Sequence, residues 1–306
     1  MSEWVTVCEV GPRDGLQIAH GIMPTAAKTR WIAAMAAAGL REIEVGSFVP
    51  PKLIPQMADT AQVVQAARTI PGLLVAALAP NLKGAQNAYA AGAARVTVPV
   101  SVSEGHSRSN TNRAPMEQVA EVGRIAAWLA EQPRRVILEA GCATSFGCSI
   151  DGEVPTAAVA KVAEGLARAG VDTIALADTV GWGNPAMVHE RVRAVRAAVG
   201  DKLQKLHLHD TLGLGLANAL AGLEEGIRAF DSALAGLGGC PFAPGAAGNI
   251  VTEDLVFLLE SMGLATGVSL PELLATRELL AAGLPGEPLR GALGRAGLPK
   301  TFHPAR

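Results

Sequence analysis

Two histidines one residue apart, in Lys205-Leu206-His207-Leu208-His209-Asp210-Thr211, are the residues of this chain best spaced to do chemistry. In an extended strand alternate side chains share a face, so His207 and His209 point the same way at roughly 6.5 to 7 Å spacing while Leu206 and Leu208 point the other way. Two imidazoles on one face make a pincer for a metal ion. A single histidine on a short apolar strand is ordinarily a satisfied core residue. The chain has only six histidines, however, and packing alone does not account for a pair here. Asp14, in Gly11-Pro12-Arg13-Asp14-Gly15, offers a carboxylate, although an aspartate before glycine is commonly a turn residue bonding its own backbone. Together Asp14, His207 and His209 are a mixed nitrogen and oxygen set without thiolate. Such a set suits Mg, Mn, Fe, Co or Zn, and the lack of thiolate favours a hard divalent ion with substrate oxygens completing an octahedron.

Other reactive residues fall near these. Arg13 keeps its charge and presents a planar donor fork, suited to a developing enolate or a carboxylate, or else to a salt bridge with Glu44 or Glu9. Cys240 stands among Gly236, Gly238, Gly239, Gly245 and Gly248, in a loop free to close over a substrate and deliver a thiol as proton donor. Cys8, Cys142 and Cys148 read as small buried hydrophobes. Asn249 precedes a helix whose first turn holds Thr252, Glu253 and Asp254, and is either a further metal neighbour or a helix cap.

To bring such distant residues together, the chain must repeat one unit many times. Short apolar or β-branched runs are read as strands at residues 5–10, 42–48, 73–78, 95–100, 136–139, 173–177, 206–209 and 229–234. Between and after them, alanine-rich stretches predict helices at 25–38, 56–67, 82–91, 116–131, 156–169, 186–199, 214–226 and 252–262. Several helices end at a glycine leading into the next strand, as at Gly39, Gly92 and Gly170, where a left-handed residue is wanted. Eight βα units in series predict an α/β fold, a (β/α)8 TIM barrel over residues 1–268. An open doubly wound sheet would want a GxGxxG turn after the first strand, and Gly11-Pro12-Arg13-Asp14-Gly15 is not one. Residues 269–306, with a helix expected at 271–282, read as a short helical appendage packed on the barrel. In such a barrel active residues collect at the C-terminal ends of strands, which is where Glu9, Arg13, Asp14, Glu44, Ser47, Asp178, His207, His209 and Cys240 fall.

The bulk numbers narrow the partner. The 306 residues carry a formal charge of −2 with scattered basic residues, so there is no footprint for nucleic acid or an anionic membrane, and a small molecule is expected. The longest apolar run is about half the length needed to span a bilayer, and no signal peptide is read at the N-terminus. Four separated cysteines without a CxxC pair give neither a zinc knuckle nor a disulfide framework, so a cytoplasmic protein is expected.

The chain resembles the 3-hydroxy-3-methylglutaryl-CoA lyase family, metal-dependent TIM-barrel lyases related to the isopropylmalate and homocitrate synthases. The resemblance rests on Glu9 to Gln17, Ser47 to Met57, Pro80 to Gly84, Leu176 to Gly181, His207 to Gly213 and Ala235 to Val256, in order across the barrel. The last run holds the cysteine loop, which the related synthases lack. The resemblance implies cleavage of a 3-hydroxyacyl-CoA to acetyl-CoA and a keto acid, acetoacetate in the parent reaction. It implies Mg or Mn held by Asp14, His207 and His209 with Asn249 beside them, and no organic cofactor beyond the CoA of the substrate. Arg13 is implied at the thioester oxygen, Cys240 as the catalytic loop cysteine and Glu44 as an acidic residue needed for activity. Arg13, Gln17 and Ser47 are expected substrate contacts, and Lys83 and Asn110 match positions that meet the nucleotide part of CoA. A homodimer is the family expectation.

Departures cluster where the acyl group would be selected. The family's DGLQNE reads Asp14-Gly15-Leu16-Gln17-Ile18-Ala19, and ETTSF reads Glu44-Val45-Gly46-Ser47-Phe48. The segment usually carrying Tyr and Ser before its cysteines reads Ala140-Gly141-Cys142, and a serine of the sixth strand becomes Ala175. Glycine and alanine in place of a tyrosine and hydroxyls predict a wider, less polar acyl pocket. A Claisen-type synthase on the same scaffold is the nearest rival, disfavoured by the cysteine loop and the lack of a long extension. A metal-dependent hydrolase would carry HxH on its first strand, and a non-catalytic barrel would have no use for Arg13, Asp14, two histidines and Cys240 together.

Overall fold

Eight short strands, β1 (Thr6–Glu9), β2 (Glu42–Ser47), β3 (Leu74–Leu78), β4 (Arg95–Ser101), β5 (Ile137–Ala143), β6 (Thr173–Asp178), β7 (Leu203–Leu208) and β8 (Ala229–Ser232), pair in chain order and close on themselves. Every neighbouring pair is parallel, β1 to β8 included. The computed structural model describes residues 3–238 and 248–305. Parallel neighbours need a crossover, and helices supply it: α1 (Thr25–Ala37), α2 (Thr60–Ala67), α3 (Leu82–Ala91), α4 (Glu104–Thr111), α5 (Pro115–Ala130), α6 (Thr156–Ala169), α7 (Pro185–Val199), α8 (Gly215–Glu224) and α9 (Thr252–Ser261). Beyond them, α10 (Leu270–Gly283) packs on α1, and α11 (Ala292–Ala296) on α9. The (β/α)8 barrel read from the sequence is therefore the fold. No helix among the described residues is long and apolar enough to cross a membrane.

The period of two along each strand sorts the side chains into two environments. Ile43, Val96, Ile174, Leu206 and Phe230 are fully buried. Leu206 and Phe230 lie so close to Gly222 of α8 that a Cβ there would fall 2.5 Å from Leu206 Cδ1. The alternate positions point into the barrel, and several at its lower end are charged. Arg95 pairs with Glu42 and, at 3.2 Å, with Glu139. Lys205 Nζ lies 2.8 Å from Glu42, 3.2 Å from Glu139 and 3.3 Å from Asp231. A buried charge is costly unless paired, and each of these five has an opposite partner.

Element ends follow local chemistry. Gly92 and Gly170 close α3 and α6 with φ of 102° and 97°, the left-handed residues expected there. The helix expected at 56–67 begins only at Thr60, because Pro55 opens a separate turn over Pro55–Met57. The strand expected at 136–139 runs to Ala143, its glycine and alanines held by residue-for-residue pairing with β4 from Arg95 to Ser101. Helix α4, Glu-Gly-His-Ser-Arg-Ser-Asn-Thr, has no apolar period from which to read it.

Candidate active site

At the C-terminal end of β1 the chain winds into a tight five-residue π-helical turn, Gly11–Gly15, in which the amides of Arg13 and Asp14 both bond to Val10 O, at 3.0 and 2.7 Å. Pro12, placed at the start where an amide would have no partner, favours the turn. Arg13 and Asp14 are thereby buried side by side, each 8% exposed. The Arg13 guanidinium grips both Asp14 and Glu44 of β2. Of the two partners read for Arg13, Glu44 is the one found. Glu9 is occupied elsewhere, accepting from the amides of Gly11 at 2.8 Å and Leu234 at 3.0 Å and sharing a hydrogen bond with the Thr252 hydroxyl.

The other side of the site comes from β7. His207 and its successor at the strand end, His209, turn to one face, ring centroids 5.0 Å apart and Nε2 atoms 3.1 Å apart. Asp14 Oδ2 lies 3.6 Å from His209 Nε2 and 3.9 Å from His207 Nε2. One donor atom from each of Asp14, His207 and His209 fits within 4.8 Å of the others, a span a single cation can bridge. Asn249 joins them. Backbone bonds from Ile250 N to Leu208 O and from Ala233 N to Ile250 O knit the segment after the β8 loop against the barrel end. Asn249 Nδ2 donates to Asp14 Oδ2 at 2.7 Å. The residue capping α9 is Val251, so Asn249 is not the cap and its amide belongs to this cluster.

The electrostatics suit a cation. Burial opposes ionisation of Asp14, but Arg13 and the two histidines outweigh it and hold the carboxyl well below the usual carboxylate range. For His207, burial lowers the imidazole while Asp231 and Asp14 raise it, and the net direction is upward. His207 Nδ1 lies 3.1 Å from Asp231 Oδ2, which leaves Nε2 to face His209. Among the candidate ligands, His209 Nδ1 and Asn249 Oδ1 are buried acceptor-capable atoms with no hydrogen-bond partner among the described residues. Two imidazole nitrogens, a carboxylate and an amide that can present either end fit a hard divalent ion.

The remaining expected contacts are less gathered. Gln17 is half-buried, its Nε2 3.5 Å from Asp14 Oδ1. Ser47 is buried with an unpartnered hydroxyl and, with Phe48, Gln65, Asn81, Lys83 and Asn87, lines a cavity of about 490 Å³ between α2 and α3. Lys83 is exposed at the first turn of α3. Asn110 is exposed on α4 and does not line that cavity. Cys240 lies outside the described residues. The sequence reading missed Asp231 and Lys205. Lys205 precedes His207 by two and so shares its face, a signal that was present; Asp231 owes its place to register across strands, with β8 pairing it directly to His207.

Comparison with known proteins finds relatives over nearly the whole chain. A family model described as HMGL-like covers residues 4–280. The mitochondrial hydroxymethylglutaryl-CoA lyase of Mus musculus is 41% identical over 280 residues, 92% of this chain and 86% of that protein. The (R)-citramalyl-CoA lyase of Chloroflexus aurantiacus is 41% identical, covering 96% of this chain and 95% of its own. The structure of an HMG-CoA lyase from Acinetobacter baumannii, in complex with coenzyme A and 3-methylmalate, superposes with a TM-score of 0.91 at 38% identity, covering 99% and 98% of the two chains.

Proposed function

The chain belongs to the HMGL-like family, and from that premise we propose that it is a divalent-metal-dependent carbon–carbon lyase that cleaves a 3-hydroxyacyl-CoA to acetyl-CoA and a keto acid. The observation that carries the metal dependence is the convergence of Asp14, His207 and His209 within 4.8 Å, with the unpartnered Asn249 Oδ1 beside them. These four residues would hold the ion, which when bound supplies Lewis acidity to the substrate's oxygens. Transfer of the tertiary hydroxyl proton to a base at the site, His207, Asp14 or a bound water, lets the C–C bond break as the ketone forms, and the leaving fragment is a thioester enolate. Arg13, locked between Asp14 and Glu44, offers its guanidinium to that developing oxyanion without reorganising. Glu44 orients Arg13. Cys240 then returns a proton to the enolate carbon, a role that rests on the family resemblance and the glycine-rich loop around it.

The acyl group is set where this chain departs from the family pattern. Gly141 and Ala175 pair across β5 and β6 at inward positions. A Cβ built on Gly141 would meet nothing within 4 Å, so there is open room beside it. This supports a substrate bulkier or less polar at the acyl end than 3-hydroxy-3-methylglutaryl. Steady-state kinetics with Mg or Mn, across 3-hydroxy-3-methylglutaryl-CoA, citramalyl-CoA and bulkier 3-hydroxyacyl-CoA esters, tests both parts, with Cys240→Ala as control. The expected result is Cys240-dependent turnover with a bulkier ester preferred. Good turnover of 3-hydroxy-3-methylglutaryl-CoA with poor turnover of every bulkier ester contradicts the wider pocket, and metal-independent turnover contradicts the mechanism.

A further inference from the structure

The charged layer inside the barrel ends directly beneath the candidate metal ligands. Lys205 and His207 stand on the same face of β7, and Asp231 of β8 is in register with His207. Asp231 reaches both: Oδ2 is 3.1 Å from His207 Nδ1 and Oδ1 is 3.3 Å from Lys205 Nζ, an ion pair without a hydrogen bond's alignment. Lys205 is itself fixed by Glu42 and Glu139, and these by Arg95. A buried carboxylate in this position is tolerable only beside a cation, and Lys205 is that cation.

We propose that Asp231 is a positioning residue for the candidate metal centre, held by Lys205 so that it accepts a hydrogen bond from His207 Nδ1–H and turns the unprotonated Nε2 toward His209 and Asp14. A carboxylate accepts but does not donate, so it favours only the tautomer with hydrogen on Nδ1. That leaves the lone pair at the nitrogen 3.1 Å from His209 Nε2, on the side where Asp14 Oδ2 lies. Fixing tautomer and ring orientation in advance raises affinity for a cation at Nε2. The metal part rests on the function proposed above; the tautomer part does not.

Two variants separate these. Asp231→Asn keeps the shape, but an amide can donate as well as accept, so it no longer selects a tautomer. Asp231→Ala removes the contact and leaves Lys205 its pairs with Glu42 and Glu139, so the layer keeps its partners. Histidine-selective ¹⁵N NMR of the metal-stripped protein at alkaline pH reads the tautomer, with His207→Asn used to assign the signal. Manganese titration by calorimetry reads the affinity, and circular dichroism checks the fold. The expected result is hydrogen on Nδ1 of His207 in the parent protein and loss of that preference in both variants. Manganese affinity falls about 10- to 100-fold in Asp231→Ala at unchanged circular dichroism. Hydrogen on Nε2 in the parent, or manganese affinity within about twofold of the parent in Asp231→Ala, overturns the proposal. If the parent binds no manganese, the metal reading fails and the tautomer alone decides the positioning role.

Discussion

Replacing Glu9 with glutamine should flatten the pH dependence of stability, and the buried contacts of Glu9 give the size of the effect. Among the described residues no cation pairs with the carboxyl. Burial pushes it up to about 8 against the lowering effect of hydrogen bonds from Thr252, Leu234 and Gly11. The Thr252 hydroxyl lies 2.6 Å from Glu9 Oε2 and 2.9 Å from Ser232 Oγ, an arrangement that also accommodates the protonated carboxyl. A proton on Oε2, donated to Thr252, frees Thr252 to donate to Ser232. With a folded-state value of about 8 against an ordinary value of 4.5, the native state holds a proton that the unfolded chain has released. The stabilisation is therefore complete below about pH 4.5 and is lost as pH rises toward 8. The loss runs at about 1.4 kcal/mol per pH unit, or about 2.7 kcal/mol between about pH 5.5 and 7.5. At an unfolding entropy of about 2.1 cal/mol/K per residue over 306 residues, that is a Tm change of about 4 °C. Glutamine mimics the protonated form, its oxygen accepting from Gly11 and Leu234 and its amide donating to Thr252. Thermal melts of both proteins with a chelator should show Glu9→Gln gaining on the parent by about 4 °C over that window. Parallel curves would refute the reasoning.

Arg13→Lys removes the planar fork that grips Asp14 and Glu44 together, and should lower kcat by about 100- to 1000-fold with a smaller change in KM; steady-state kinetics check it. Gly141→Ser places a side chain in the open space beside Ala175, and kcat/KM for the bulkiest accepted ester should drop by about 10- to 200-fold relative to 3-hydroxy-3-methylglutaryl-CoA. A uniform loss across esters would place Gly141 outside the acyl pocket. A chelator should abolish turnover and added Mg or Mn restore it, measured as CoA-product formation.

Strand order and barrel closure were legible because each strand is a short apolar run between helices, and parallel pairing leaves few other ways to connect them. What was illegible depends on partners far away in sequence. Helix α4 has no apolar stripe, and the upper half of β5 has strand geometry only because β4 pairs with it. Around the site, the period of two predicted that His207 and His209 face together and that Leu206 and Leu208 point the other way; the two imidazoles do meet, and both leucines are buried. Whether Arg13 met Glu44 or Glu9 was open, because the choice turns on Thr252, Leu234 and Gly11 claiming Glu9 first. Asp231 was invisible for the same kind of reason: only the register of β8 on β7 brings its carboxylate under His207.

The most direct test of carbon–carbon cleavage through an enolate is the mass of the CoA product formed in D2O from the best 3-hydroxyacyl-CoA ester. The predicted product is acetyl-CoA carrying one deuterium in its methyl group, taken up when the enolate is protonated, together with the keto acid. Free CoA with an intact hydroxy acid would mean thioester hydrolysis, and would contradict the lyase assignment.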